Sequence, residues 1–396
     1  MPLEPVEPAA DASDPAAREY LWTMNFGPQH PATHTTLRLV LKLDGERVVD
    51  AVPDIGYLHS GFEKLAEHLD YNQYVVVTDR MNYVSPMANN VAWHLAVEKL
   101  MGIEAPPRCQ YLRVIVAELA RISDHLLCLG AMGLDTGAFT HFIYAFNPRE
   151  QIYDIFEALC GARFTNSYTR VGGLMYDATP LFIEKVRQFV RTFPRTLDDM
   201  QRLLDRNRIF LDRTRGVGVL SREDALAWSC TGPVARASGV TRDLRKDEPY
   251  LCYRDFDFRI CCAREGDCLA RYLVRMAEMR ESLKIVSQAI ENLPAGPVNV
   301  GQECRAVLPE KPQHRTDRDE RRDREGRAER ARVPAVKAGD DDRRDEDRAG
   351  DRPEHHVRAQ EEDGPERLEV LVEALLDAGE RGEHDRRQNH VLELEP

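Results

Sequence analysis

Apolar residues recur three and four positions apart along several long stretches of the chain, a spacing that predicts α-helices. The predicted helices cover residues 87–100, 109–129, 139–159, 182–207 and 266–293. Because a proline breaks or kinks a helix, one fair description of the fourth stretch is two helices that meet at Pro194. A shorter helix should begin at residue 62 and reach residue 69.

A different pattern, the alternation of apolar and polar residues, occurs near the N-terminus. It runs up to Asp44-Gly45, which is a tight-turn signal, and a second apolar run covers residues 48–52. This pattern predicts an antiparallel hairpin within a small sheet over residues 20–52. The fold class predicted from the whole pattern is therefore α+β, with a small N-terminal antiparallel sheet followed by a mainly α-helical bundle.

The segment just before the hairpin carries two histidines on a predicted loop. Pro28 and Pro31 keep this segment out of a helix and stiffen it, which places His30 and His34 at the mouth of the sheet. Loops held by a rigid scaffold commonly carry binding side chains. Loop histidines are nevertheless more often surface or packing residues, so the pattern alone assigns them no role.

Composition divides the chain into four predicted parts. Residues 1–18 are rich in proline, alanine and acidic residues and should form a disordered leader. Residues 19–61 form the β domain and residues 62–312 the helical core. Residues 313–396 form a charged, low-complexity tail that we expect to be disordered or loosely helical. From residue 314 onward this tail has no aromatic residue, and over half of it is charged.

The overall totals exclude several classes of function. The formal net charge of -13 gives no support for nucleic-acid binding. The nine cysteines include no pair three positions apart, so a zinc ribbon or an iron–sulfur ligand set is disfavoured. No apolar run reaches the roughly 20 residues that a membrane helix needs, and the N-terminus lacks a signal-peptide pattern. We therefore expect reduced thiols, a cytosolic setting and membrane association only through partner subunits.

Three further positions could carry chemistry, and each also has a structural explanation. Tyr83 precedes a predicted helix and is either a core aromatic residue or a phenol that faces a ligand. Asp135 lies in an apolar neighbourhood, where its carboxylate must be paired or must cap a helix. Glu118, Arg121 and His125 lie on one flank of a predicted helix, a pattern more typical of an ion-paired seam.

Several separate stretches together resemble one known family. They are Gly-Pro-Gln-His-Pro-Ala-Thr-His at 27–34, Ile-Gly-Tyr-Leu-His at 55–59 and Tyr-Val-Ser at 83–85. They are similar to the quinone-pocket subunit of respiratory complex I, a family related to the large subunit of nickel–iron hydrogenases. The resemblance covers about residues 22–312 and not the tail from residue 314 to 396. Many relatives carry an arginine where this chain has Ser60, so no role of that arginine is assumed here.

The resemblance implies a site for quinone reduction, and the missing thiolates disfavour hydrogenase activity. Hydrogenase large subunits hold nickel with thiolates at the place where this chain, before Cys109, has no cysteine. In the family, His34 and Tyr83 would bind quinone and donate a proton to each of its two carbonyl oxygens. Asp135 would orient the His34 ring. The alternative is a non-catalytic scaffold subunit of a complex I or of a membrane-bound hydrogenase-like assembly.

The same resemblance implies partners and a location. The partners would be the complex I subunit that carries the terminal iron–sulfur cluster and the membrane-arm subunit at the quinone entrance. Quinone would be the substrate, and NAD would be used by the whole complex, with no cofactor bound by this chain. The complex would lie at the cytoplasmic face of the bacterial inner membrane, with this subunit peripheral to it, and would couple quinone reduction to proton translocation.

The tail differs from the family, whose members continue with an α/β portion of about this length. Its enrichment in Arg, Asp, Glu, Ala, Gly and Pro is typical of GC-rich DNA read in a shifted frame. We therefore hypothesise that the tail is a frame-shift product. Translation of the other reading frames would reject this if none encodes an aromatic-containing Arg-Pro-Tyr-Arg type of strand.

Overall fold

A three-stranded antiparallel sheet forms the N-terminal end of the computed structural model, which describes residues 21–34, 36–300 and 391–393. Its strands are β1 (Leu21–Phe26), β2 (Arg38–Asp44) and β3 (Arg47–Asp54), with β2 in the middle. The β2–β3 turn needs a left-handed residue, and Gly45 supplies it with φ 58°. The predicted antiparallel hairpin is therefore confirmed.

Helices make up most of the described chain after this sheet. They are α1 (Phe62–Ala66), α2 (Val75–Thr78), α3 (Pro86–Met101), α4 (Pro107–Asp135), α5 (Phe139–Cys160), α6 (Pro180–Leu204), α7 (Arg208–Thr214), α8 (Arg222–Ala227), α9 (Gly232–Ala237), α10 (Leu244–Asp247) and α11 (Cys268–Glu291). Short strands β4 (Thr169–Arg170) and β5 (Gly173–Leu174) pair antiparallel, and β6 (Ile260–Cys262) pairs parallel with β7 (Val391–Glu393). The predicted α+β class is confirmed.

Helix α4 is the centre of the core. It packs against α3, α5 and α11, and α6 in turn packs against α5 and α11. The apolar stripe predicted for α4 is fully buried, and its members include Leu112, Ile115, Leu119, Ile122, Leu126 and Leu129. Burial of one such side chain stabilises the fold by about 1.5–3 kcal/mol. The predicted end at residue 129 was wrong, because α4 continues through Gly130 and the buried Gly133 to Asp135.

Two further helix predictions were wrong. Residues 182–207 do not form two helices that meet at Pro194, because α6 continues through this proline. Phe193 and Leu197 on either side of it are buried, and their burial offsets the hydrogen bond that proline removes. The short helix predicted for residues 62–69 ends at Ala66, and α1 has no buried residue to stabilise a longer helix.

The chain divides into two units, residues 1–308 with 390–396, and residues 309–389. All of the described residues belong to the first unit. The predicted leader lies outside the described residues, as does the predicted tail except for β7, a strand that the sequence did not predict. The domain boundaries at residues 18, 61 and 312 stay predictions. Within the described chain, no helix is both long and apolar enough to cross a membrane.

A buried histidine near the start of α5 lies directly against α4. A Cβ atom on Gly133 would lie 2.7 Å from Nδ1 of His141, so the helices can approach this closely only because residue 133 is glycine. Neither ring nitrogen of His141 has a hydrogen bond of good geometry among the described residues, although the backbone of Leu129 is near enough to favour the protonated ring slightly. Burial lowers the pKa of His141 from its ordinary 6.5 to about 4.

We expect this histidine to make stability depend on pH. Between pH 4 and pH 6.5 the unfolded chain binds a proton that the folded chain does not, so the free energy of unfolding should fall as the pH is lowered through this range. The loss attributable to His141 should be about 3 kcal/mol. Urea unfolding of wild type and His141→Phe at pH 7 and pH 4.5 measures it. If the free energy of unfolding depends on pH equally in both proteins, His141 is not the source of the pH dependence.

Candidate functional site

The loop between β1 and β2 is built around a glycine. Gly27 has φ 77°, and a Cβ atom there would lie 2.1 Å from the carbonyl oxygen of Leu37, so only glycine fits. The loop contains one 3-10 turn, Pro31–Thr33, in which the Thr33 N–H donates to the His30 carbonyl over 3.0 Å. The prolines thus exclude a longer helix, as predicted, although this single turn was not foreseen.

The two loop histidines have different environments. Nδ1 of His30 accepts a hydrogen bond from the Ala32 N–H over 3.1 Å, and its ring packs against Phe26 with the centroids 4.5 Å apart. His30 therefore supports the loop itself. His34, by contrast, has left-handed backbone geometry with φ 50°.

His34 reaches the end of the central helix. Its Nε2 lies 3.3 Å from Oδ2 of Asp135, and the two side chains are 61% and 37% exposed. An exposed pair of this kind contributes only about 0–1 kcal/mol to stability. A carboxylate at a helix C-terminus also faces the negative end of the helix dipole, so it gains from a cationic partner. The contact therefore contributes little to the stability of the fold.

The carboxylate of Asp135 is paired with His34, which is one of the two environments predicted for it from the sequence. The alternative explanation, an N-terminal helix cap, does not apply, because Asp135 is the last residue of α4. His34 and Asp135 lie 101 positions apart in the sequence. The structure therefore brings together two of the three predicted site residues.

Tyr83 lies on the turn between α2 and α3 and is not a core aromatic residue. The residue is 43% exposed, and its ring meets Phe164 edge-on, with the centroids 6.3 Å apart. It lines a groove of about 420 Å³. The other residues that line this groove are Leu58, Ser60, Phe62, Leu65, Val76, Val77, Arg80 and Met81.

The third predicted residue is not joined to the other two. His34 and Asp135 do not line the groove beside Tyr83. In the described parts of the chain, no hydrogen bond, ion pair or ring contact links Tyr83 to either of them. Joint action of the phenol and the imidazole on one ligand therefore stays a prediction.

The polar row predicted on α4 is confirmed as ion-paired, but most of its partners come from other elements. Glu118 is fully buried and accepts from Arg245 at 3.1 Å, from the Tyr253 hydroxyl at 2.5 Å and from Ser282 at 2.6 Å. Its contact with Arg121, one turn along α4, is longer at 3.3 Å. Burial alone would raise the pKa of Glu118, but Arg121 and Arg245 lower it to about 2.

Other members of this buried network could not be found from the sequence. Nε2 of His125 lies 2.8 Å from Glu278 of α11, whose carboxylate also accepts from Arg236 at 2.6 Å. Burial would raise the pKa of Glu278, but His125 and Arg236 lower it strongly. The only local signal was the spacing along α4, which gives no information on partners more than 100 positions away. Among the described residues, no group of three or more His, Cys, Asp or Glu is arranged to hold a metal.

Comparisons with known proteins agree with the resemblance seen in the sequence motifs. Residues 135–338 match the family model described as respiratory-chain NADH dehydrogenase, 49 Kd subunit. The D-type subunit of NADH-quinone oxidoreductase from Methylacidiphilum infernorum is 50% identical over 288 residues, which are 73% of this chain and 69% of that protein.

Two further relatives give the same result. A D-type subunit of NADH-quinone oxidoreductase from Opitutus terrae is 52% identical over 289 residues, 73% of this chain and 68% of that protein. Its counterpart from Chloroherpeton thalassium is 54% identical over 280 residues, 71% of this chain and 64% of that protein. The predicted relationship to complex I is thereby confirmed, and the chain belongs to the family of the 49 kDa subunit of the respiratory-chain NADH dehydrogenase.

Proposed function

We propose that this chain forms, together with the subunit that carries the terminal iron–sulfur cluster, the cavity in which NADH:quinone oxidoreductase reduces quinone. Family membership supports assembly into that complex. The observation that carries the finer proposal is the contact between His34 and Asp135, because it presents an oriented, water-accessible imidazole at the edge of the fold.

The groove beside Tyr83 suits a quinone ring. Its walls are mostly apolar, and the phenol of Tyr83, the hydroxyl of Ser60 and the guanidinium of Arg80 are the polar groups along it. A mainly apolar pocket with a few polar groups is the usual form of a site for a small organic ligand. In this proposal, Tyr83 donates to one carbonyl oxygen of the quinone.

The chemistry requires two proton donors. Reduction of a quinone to a quinol takes two electrons and two protons, and each carbonyl oxygen receives one proton. The two electrons come from the cluster on the partner subunit. The protons come from the Tyr83 phenol and the His34 imidazole, which stand on separate elements as the two opposite oxygens require. An imidazole exchanges protons readily near neutral pH, since its ordinary pKa is about 6.5.

Asp135 links this step to the rest of the molecule. When His34 gives up its proton, its attraction to the Asp135 carboxylate is lost, and the loop that carries His34 is released from the end of α4. We propose that this release couples quinone reduction to proton translocation. NAD is used elsewhere in the complex, and this chain is held at the cytoplasmic face of the bacterial inner membrane by its partners, including the membrane-arm subunit at the quinone entrance.

Asp135→Asn tests the proposal with little change of shape. The variant keeps the hydrogen-bonding side chain but loses the charge that stabilises a protonated His34, so quinone reduction by the assembled complex should fall about tenfold. NADH-driven reduction of the terminal cluster should not change. Steady-state quinone turnover and the redox spectrum of the cluster provide the two measurements.

A control is available in another ion pair whose carboxylate is half exposed. Asp177 is 50% exposed and contacts Arg108 at 2.9 Å, so Asp177→Asn removes a similar charge away from the His34 loop. It should leave quinone turnover within about twofold of wild type, as is usual for a surface substitution. Equal turnover in the wild type, Asp135→Asn and Asp177→Asn would favour the scaffold alternative.

A further inference from the structure

A fully buried carboxylate, Asp79, connects three segments around the Tyr83 turn. It lies at the C-terminal end of α2. Its Oδ1 accepts from Nδ2 of Asn90 on α3 at 2.8 Å and from the backbone N–H of Ser167 at 3.3 Å. Its Oδ2 accepts a short hydrogen bond from the Ser167 hydroxyl. One side chain thus joins α2, α3 and the loop between α5 and β4.

These hydrogen bonds enclose the turn that carries Tyr83. Asn90 also accepts from the hydroxyl of Thr78 at 2.8 Å, which gives α2 and α3 a second connection. Tyr83 lies between Asp79 and Asn90 in the sequence, so both ends of its segment are held by the same network. The position of the phenol therefore depends on these buried contacts.

The third segment brings an aromatic ring to the same place. Phe164 and Ser167 belong to one short loop, and Ser167 has left-handed backbone geometry with φ 44°. The Phe164 ring lies between two tyrosines, with its centroid 6.3 Å from that of Tyr83 and 6.1 Å from that of Tyr153 on α5. A loop held by Asp79 through Ser167 thus supplies the ring that packs against Tyr83.

The carboxylate of Asp79 fits the three hydrogen-bond donors around it better than an amide would. In the described chain Asp79 takes part in no direct ion pair, although it interacts electrostatically with the nearby Arg170. A carboxylate only accepts hydrogen bonds, so its two oxygens can serve all three donors at once. An asparagine would offer one oxygen and an amide that itself donates. Aspartate is therefore the residue type that can hold Asn90 and both donors of Ser167 together.

We propose that Asp79 is a positioning residue for Tyr83, which holds the phenol and the Phe164 ring against each other at the edge of the groove. The inference rests on the proposed role of Tyr83 in quinone reduction. It extends that role by naming the buried group that sets the position of the phenol.

A double-mutant cycle in the assembled complex tests the inference. Asp79→Asn should lower the quinone turnover number about tenfold, because a small displacement of a catalytic group is costly. In a Tyr83→Phe background the same substitution should change turnover less than about twofold, since no phenol remains to be positioned. Electron transfer from NADH to ferricyanide, which does not need the groove, should be unchanged. An equal loss in both backgrounds, or no loss in either, would overturn the inference.

Two further variants keep the test decisive. Ser167→Ala removes only the hydroxyl donor and leaves the backbone N–H, so it provides the same cycle with a milder change if Asp79→Asn does not assemble. Asp205→Asn is the control, because Asp205 accepts from the Tyr272 hydroxyl at 2.8 Å and lies on other elements. Asp205→Asn should retain wild-type turnover. A tenfold loss in this control would mean that losing any carboxylate contact lowers turnover, and it would overturn the specific role of Asp79.

Failure of the proposed function can be distinguished from failure of this inference. If Tyr83→Phe alone leaves turnover unchanged, the proposed function fails. The positioning role of Asp79 is then tested by the distance between the rings of residues 83 and 164. A structure of the Asp79→Asn complex should then show the Phe164 ring displaced from residue 83. Rings that keep their 6.3 Å separation would overturn the inference independently of activity.

Discussion

Replacement of Tyr83 by phenylalanine should reduce the rate of quinone reduction about a hundredfold in the assembled complex, the usual order of loss for a general acid. The substitution removes one oxygen and leaves the ring, so the edge-on contact with Phe164 should remain. Tyr83 is 43% exposed as a residue and lines an apolar groove, so loss of its hydroxyl should cost little stability. A large loss of rate with normal assembly would therefore come from the missing proton donor.

The measurement must separate chemistry from assembly. Quinone turnover should fall while NADH still reduces the terminal cluster on the partner subunit at the wild-type rate. Tyr144→Phe is a matched control, because Tyr144 on α5 is also 43% exposed and does not line the groove. Equal losses of turnover and of cluster reduction would mean an assembly defect. Unchanged turnover in Tyr83→Phe would favour the scaffold alternative.

Replacement of Glu118 by alanine should destabilise the fold by roughly 3–5 kcal/mol, the cost of removing one partner of a buried ion pair. Arg245 is only 4% exposed in its side chain and would keep Asp243 as its remaining ionic partner. Arg121 would lose its ion pair altogether within the described chain. The hydroxyls of Tyr253 and Ser282 would lose an acceptor as well.

Urea unfolding of the wild type and Glu118→Ala gives this difference directly. The control is Glu248→Ala, which removes an exposed pair with Arg242 in which the side chains are 71% and 67% exposed. That pair should contribute less than about 1 kcal/mol. A loss below about 1 kcal/mol for Glu118→Ala would contradict the assignment of Glu118 as the buried centre of the network.

Features that depend on neighbouring residues were predicted well from the sequence. Spacing of three and four predicted α3, α5 and α11 within two residues of their observed ends, whereas α4 runs six residues past its predicted end at residue 129. Alternation and the Asp44-Gly45 turn predicted the hairpin. These predictions were correct because each pattern lies within a single element, and burial of one face is enough to select it. At Pro194 the local rule was wrong because the tertiary burial of Phe193 and Leu197 outweighs it.

The site was predicted only in part. The motifs pointed to His34, Tyr83 and Asp135, and the structure brings His34 to Asp135. The connection made by Asp79 was missed, because an aspartate in a polar stretch looks the same whether it is exposed or fully buried. The partners of Glu118 and His125 were missed for a related reason. A spacing along α4 identifies the face of a helix but not the residues that meet it.

The sequence by itself determined the element types, the family and the kinds of chemical group available near the N-terminal loop. Only the tertiary structure decided which of these groups meet, such as an imidazole with a carboxylate 101 positions further along. The physical reason is one of range. Hydrogen-bonded elements are selected by neighbouring residues, whereas contacts across a hundred residues exist only after the apolar faces of α4, α5 and α11 have packed and set the distances between them.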